Sequence, residues 1–387
     1  MTADTSRRTL WALLFGNLVI GTGVLLPAGL LSVIMADIGV TAARAGLLMT
    51  VGGLVVGFGA PVLAGMTSRV DRRLLLVAAL ALYVVGHVAA ALTTNLTLLL
   101  VFRALTVAGA AIFTPQAAAT AALIVPAGQR AGAIAFIFIG WSLASVIGIP
   151  LGSLLGDAIG WQSTYLLMAM LSALVALAVW LVLPGGLRIQ ALNLASWLGV
   201  LTNLRLLVVL AVTMFSMSGQ FTLFTYVSPI LSMTYGLDGN GIALVFLVVG
   251  IAGVLGNTIA SRAATGFGLE RSILLALCSV AAGLALIWAG WGTLWAFVAG
   301  GCLWGLGGFA ANSLQQSRLV ALAPALASAT VALNTSAVYL GQSLGSASGA
   351  ALIADGAGPE MPLAGAAFAG AAMLLSVLAA RMGRVSP

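Results

Sequence analysis

The chain has 387 residues, is 62% hydrophobic, carries only 6% charged residues and has a formal net charge of +7. A soluble domain carries roughly 25% charged residues, so this composition excludes a water-solvated globule and points to a chain solvated by lipid. In that setting the positive balance reads as cytoplasmic loops facing anionic lipid rather than as a nucleic-acid surface.

A short polar start, MTADTSRR, runs directly into about 25 apolar residues, too long for a signal-peptide core and therefore an uncleaved first span. A spanning helix needs roughly 20 apolar residues. On that measure the chain holds twelve spans: 9–35, 41–66, 74–93, 96–124, 128–156, 162–183, 204–235, 240–265, 271–290, 293–321, 326–353 and 361–381. The stretch 184–203 is the longest non-spanning segment and reads as a linker with a short interfacial helix. It divides the chain into residues 1–183 and 204–387, six spans each. The fold class expected is an all-α membrane protein.

Basic residues collect on the cytoplasmic side of short loops. With the N-terminus inside, every arginine except Arg44 and Arg103 falls in an inner segment, whereas Asp37, Asp157, Asp238, Asp355 and Glu360 fall outside. Both termini are thus expected in the cytoplasm. The loop at 66–76, MTSRVDRRLLL, holds Arg69, Asp71, Arg72 and Arg73 and is the most charged of the inner loops.

The halves echo each other. Phe113–Gln116 (FTPQ) matches Phe309–Asn312 (FAAN), Val125–Ala127 (VPA) matches Ala323–Ala325 (APA), and Gly148–Gly152 (GIPLG) matches Gly345–Gly349 (GSASG), at offsets of 196 to 198. Two parallel repeats imply a pseudo-two-fold axis along the membrane normal, with a solute site near the midplane between them.

On these features the chain resembles the major facilitator superfamily across essentially its whole length. Residues 64–73 are similar to the loop motif Gly-x-x-x-Asp-Arg-x-Gly-Arg-Arg, with Arg69, Arg72 and Arg73 in register. Ala64, Ser68 and Asp71 depart from it, at the first Gly, the Asp and the second Gly. The resemblance implies a gating loop, with Asp71 standing in for the missing acid. Arg103 matches the family's intramembrane arginine. Gly148, Pro150, Gly152 and Gly156 resemble the Gly-Pro motif of the twelve-helix drug:proton antiporter branch, arabinose-efflux-permease-like exporters included. They imply a packed hinge, although a small-residue stripe also serves close helix packing alone.

A charged side chain inside a span is a functional hypothesis by default, which singles out Arg103. His87, the sole histidine, shares its depth and could carry a proton. No carboxylate lies deep in any predicted span, so Asp157 at a span end is the other titratable group available for coupling. An uncharged polar set lies near the midplane: Thr22, Trp141, Ser142, Gln220, Tyr339 and Gln342, with Tyr226 toward the outer side. Asn17, Gln116, Asn312, Gln315, Gln316 and Asn334 lie slightly inward. Such residues either line a cavity or bond helix to helix at roughly 1 kcal/mol each. Aromatic walls with amide donors suit a neutral or weakly polar organic solute.

The function expected is a monomeric secondary transporter exporting such a solute (a drug-like compound, sugar or metabolite) by proton antiport. An uncoupled facilitator or uptake carrier is the alternative within the same class. A non-transporting receptor or scaffold would need extramembrane surface that these loops do not offer. An enzyme would need a catalytic constellation, and one histidine without paired carboxylates supplies none. There is no P-loop, and no cofactor or metal is expected; Cys278 and Cys302 form no ligand spacing. The expected partners are therefore a small-molecule substrate, protons and membrane lipid.

Overall fold

A computed structural model describes residues 3–67, 69–188 and 194–382; Ser68, the linker residues 189–193 and Arg384 lie outside the described residues. Among the described residues the structure is helical, without strands. The first half comprises α1 (Ala3–Ile38), α2 (Ala42–Met66), α3 (Arg72–Ala91), α4 (Leu96–Leu123), α5 (Arg130–Leu143), α6 (Ile149–Ile159) and α7 (Trp161–Val182). After it come α8 (Leu194–Leu201), α9 (Leu204–Phe224), α10 (Val227–Tyr235), α11 (Gly239–Phe267), α12 (Leu269–Ala289), α13 (Leu294–Leu322), α14 (Ala327–Ala354) and α15 (Met361–Met382).

The breaks fall where side chains can satisfy the free N–H groups of a helix start. Asp71 Oδ1 accepts from the Arg73 and Leu74 amides, Asn95 from Leu98, Asn203 from Leu206, and Asp238 from Gly241. The short helix expected within the linker is α8.

Among the described residues, eleven helical segments are long and apolar enough to cross a membrane; α5 and α6 together make one of them, as do α9 and α10. Helix α14 covers the remaining predicted span, but it is too polar to join the eleven, carrying Asn334, Ser336, Gln342, Ser343 and Ser346 among others. Those groups are turned inward: Gln342, Ser343 and Ser346 donate to the backbone carbonyls of Met49, Thr50 and Gly46 on α2.

Contacts recur between the repeats. Gly109 brings α4 onto the Ala79 carbonyl of α3, and Gly307 brings α13 onto the Ala276 carbonyl of α12. A Cβ at Gly148 would strike Thr22 on α1, and one at Gly345 would strike the Ser218 carbonyl on α9.

The two ends of the helix array differ. One end holds Asp37, Asp157, Asp238 and Asp355 and is called the acidic end here; the opposite, basic end holds Arg69, Arg130, Arg262 and Arg318. Helices α2, α6 and α1 of the first half meet α14, α11 and α10 of the second. Among the described residues, the side-chain hydrogen bonds joining 3–183 to 204–382 lie toward the acidic end. Besides those of α14 to α2, Ser32 and Ser228 hydroxyls bond at 2.9 Å, Ser228 donates to the Gly29 carbonyl and Ser153 to that of Gly239. The halves are stitched at that end by uncharged groups.

Candidate functional site

Arg103 leaves α4 within the first half and is 5% exposed. Its Nε donates to the Leu48 carbonyl at 3.3 Å, Nη1 to Gly23 at 2.8 Å and Nη2 to Val24 at 2.5 Å. One guanidinium therefore ties α4 to the backbones of α1 and α2. Among the described residues no carboxylate pairs with it; the titratable side chains near it are His87, Tyr83, Tyr165 and Tyr339. A fork of N–H donors matched to carbonyl dipoles holds an arginine in an apolar site more effectively than a point-charge ammonium could be held.

His87 sits beside it on α3, 2% exposed. Its Nδ1 lies 2.9 Å from the Tyr83 carbonyl one turn back, which requires the proton on Nδ1. The ring lies 4.5 Å from that of Tyr83 and edge-on to Tyr165 at 5.5 Å. Tyr83 donates to the Ile20 carbonyl on α1 at 2.8 Å. The charged fork and its neighbours form one buried polar cluster inside an otherwise apolar core.

Toward the interface of the halves the polar set is uncharged. Trp141 on α5 donates to Thr114 on α4 at 3.2 Å and packs against apolar core from both halves. Tyr339 on α14 packs against first-half core. Gln220 on α9 accepts from the Trp304 indole at 3.3 Å and donates to the Ser216 carbonyl. Phe224 stacks edge-on against Phe221, Phe246 and Trp304. The second half thus presents an aromatic block with one oriented amide beside it.

The other predicted cavity residues have varied seats. Thr22 and Asn312 are half-buried, and Ser142 and Gln316 are exposed. Asn17 is fully buried and donates to the Ile137 carbonyl, bonding α1 to α5. Gln315 donates to Val209, Asn334 accepts from Thr213, and Gln342 belongs to the α2–α14 seam. Tyr226 is fully buried and donates to the Ser346 carbonyl. Gln116 lies near the basic end, where its Oε1 accepts from Arg72 Nη1 at 2.5 Å. Residues 312, 315 and 316, close together on one turn, differ sharply in burial.

The charged loop has a specific task. Asp71 caps α3 with one carboxylate oxygen and accepts the Gly186 amide with the other, while the Arg72 amide donates to the Leu187 carbonyl at 2.9 Å. Gly186 has φ +84°, which suits glycine. Arg73 lies 4.0 Å over the Trp180 ring, and Arg69 is exposed. Asp71 therefore buckles the start of the linker onto the loop. The corresponding place in the second half holds an ion pair: Arg318, 1% exposed, meets Glu270 at 2.7 Å and donates to Ser376 on α15.

The stripe Gly148, Gly152 and Gly156 packs against Thr22, Leu26 and Leu30 of α1. It follows a π-helical turn, Ala144–Gly148, and Pro150 opens the next helical turn. Proline has no N–H to give and crowds the carbonyl four residues back, and a widened turn relieves that conflict. Asp157, at the end of this helix, lies against Gly239 at the start of α11.

Sequence reasoning missed Tyr83, Tyr165, Glu270 and the aromatic block around Trp304. Only Tyr83 carried a usable signal, its place one helical turn before His87.

A family model described as Major Facilitator Superfamily matches residues 13–346. The chain is 32% identical over 377 residues to the inner membrane transport protein YdhP of Escherichia coli K12, covering 96% of each chain. It is 27% identical to a probable sugar efflux transporter of Mannheimia succiniciproducens, over 93% of this chain and 89% of that one. Among solved structures it is similar to a bacterial homologue of the lysosomal transporter Spinster in an inward-facing, occupied conformation (TM-score 0.79, 16% identity, 98% of both chains). It is similar also to the nucleoside transporter NupG in its D323A form (TM-score 0.78, 12% identity, 97% of this chain and 99% of that one). At those identities the likeness carries the fold.

Proposed function

The chain belongs to the major facilitator superfamily, a family of membrane transporters and not of enzymes, and from that premise we propose that it exports a small neutral or weakly polar organic solute by proton antiport. Twelve spans in two six-helix halves, 1–183 and 204–387, joined by the linker 184–203, rock about the Gly148–Gly156 stripe. The basic end is cytoplasmic, as are both termini, in agreement with the arginine distribution. The stitched acidic end is then the closed periplasmic side, and the state described is open inward.

The observation that carries the substrate class is the chemistry between the halves: an aromatic block, Trp141, Tyr339 and the Gln220 amide, with no buried carboxylate there among the described residues. A cationic drug would leave its charge unpaired in such a site, whereas a neutral ring bearing hydroxyl or carbonyl groups finds stacking surface and hydrogen-bond partners. The relative described as a probable sugar efflux transporter supports export of a polar, uncharged solute. Coupling falls to the His87–Arg103 cluster, with Asp157 at the seam. The lack of a buried carboxylate also favours a second reading, an uncoupled facilitator.

Everted membrane vesicles with an acid interior and a pH-sensitive dye separate the two. Solute-dependent proton release (sugars, purines, phenicols and neutral drugs as probes) that disappears in Arg103→Ala is expected. Labelled-solute flux without proton movement would establish the facilitator instead.

A further inference from the structure

Between α3, α4 and α7, beside Arg103, lies a small cavity to which the transport reading assigns no occupant. It offers about 10 Å³ to the centre of a water-sized sphere, close to what one water requires. Three apolar side chains form part of its wall. The polar part is His87, Arg103, Thr106 and Tyr165, each at least nine-tenths buried.

The hydrogen-bonding state of these four groups can be followed atom by atom. The Nδ1–H of His87 is engaged by the Tyr83 carbonyl, so Nε2 of the neutral ring presents a lone pair. The Thr106 hydroxyl donates to the Phe102 carbonyl at 2.7 Å and keeps its oxygen lone pairs. Arg103 uses three of its five N–H groups on carbonyls and retains two. The Tyr165 hydroxyl has no protein acceptor among the described residues. The residues that line this space, of one water's size, thus carry two free acceptors and two kinds of donor.

We infer that this cavity holds one resident water, which accepts from Arg103 and Tyr165 and donates to His87 Nε2 and Thr106 Oγ1. The arrangement matches the full donor and acceptor capacity of a water molecule. A halide of similar size would face two lone pairs and is the poorer occupant. Through this water His87 becomes a positioning residue for the Arg103 fork, and Nε2 is the ring atom through which it exchanges a proton with its surroundings. Gly23 belongs to the arrangement, since a Cβ there would come within 3.0 Å of Nε2. The inference rests on the cavity alone and stands whether or not solute flux proves to be proton-coupled.

Because His87 is the only histidine of the chain, histidine labelled with nitrogen-15 reports on this ring and no other. In the full-length wild-type protein in nanodiscs at neutral pH, the expected spectrum is a neutral imidazole protonated on Nδ1. Its Nε2 should show the shift of an accepted hydrogen bond, with cross-relaxation to a slowly exchanging water. Tyr165→Phe should lose the water signal while retaining the tautomer. His87→Gln, which can still accept from the water although it carries no proton, should retain most of the unfolding midpoint that His87→Leu loses. An Nε2–H tautomer, an imidazolium, or a wild-type ring without a water signal would overturn the assignment.

Discussion

Positions 103 and 300 occupy equivalent places in the two repeats, at the same offset as the matched motifs, and they do different work. In the first half a buried guanidinium spans the gap from α4 to α1 and α2. In the second, Gly300 and Gly283 let α13 and α12 touch backbone to backbone, and the counterpart of His87 is Leu284, fully buried and apolar. The second half thus carries no charge at the equivalent position. The cation in the first half is an added feature, and its desolvation is offset by three carbonyls rather than by an acid. Chemistry is concentrated in one half, while the other supplies a close-packed frame and the aromatic wall.

The largest test of this contrast is Arg103→Leu. It takes the guanidinium donors from three carbonyls; those of Val24 and Leu48 keep the helical amide four residues on, whereas Gly23 faces Pro27 and is left unsatisfied, at about 1–3 kcal/mol. Solute flux should vanish, and the unfolding midpoint of the purified protein should fall by more than for any other single change proposed. Gly300→Leu probes the opposite side: it inserts a side chain where two backbones meet and should cost about 1–3 kcal/mol through overpacking. If Gly300→Leu unfolded as readily as wild type, the close-packed frame would be disproved.

Smaller effects sharpen the picture at the ends of the molecule. Glu270→Gln breaks the pair with Arg318, but the glutamate is 42% exposed, so the loss should be about 1 kcal/mol or less and should shrink in high salt. A salt-independent loss would mean that the pair is sealed from solvent. Ser343→Ala removes one uncharged stitch and Ser228→Ala removes two, those to Ser32 and Gly29, each worth about 0.5–1.5 kcal/mol. They should leave overall stability nearly unchanged while moving the population toward a state open at the acidic end. Spin labels at the exposed positions Ala158 and Asn240, on opposite sides of the seam, would read a lengthened distance.

Much of this was legible in the sequence because a bilayer imposes coarse rules. Length and apolarity mark spans, arginine marks one side of the membrane, and Asn95, Asn203 and Asp238 mark helix starts by the bonds their side chains can make. Arg103 was conspicuous for the same reason, as a charge where charge is costly. The fates of Gln116, Asn17 and Tyr226 were not legible. A polar residue at midspan looks the same in sequence whether it faces a solute, bonds a carbonyl of the next helix or, like Gln116, receives an arginine from a loop 44 residues away.

The sequence by itself thus determined the solvent, the helices, the repeat and the presence of a lone intramembrane cation, because those follow from composition and local spacing. Only the tertiary structure decided what that cation holds, which half carries the polar cluster, that Asp71 fastens the linker, and that the seam is made of serines against backbone. Each of these depends on which side chain meets which carbonyl across tens or hundreds of residues, and hydropathy and periodicity hold no record of that meeting.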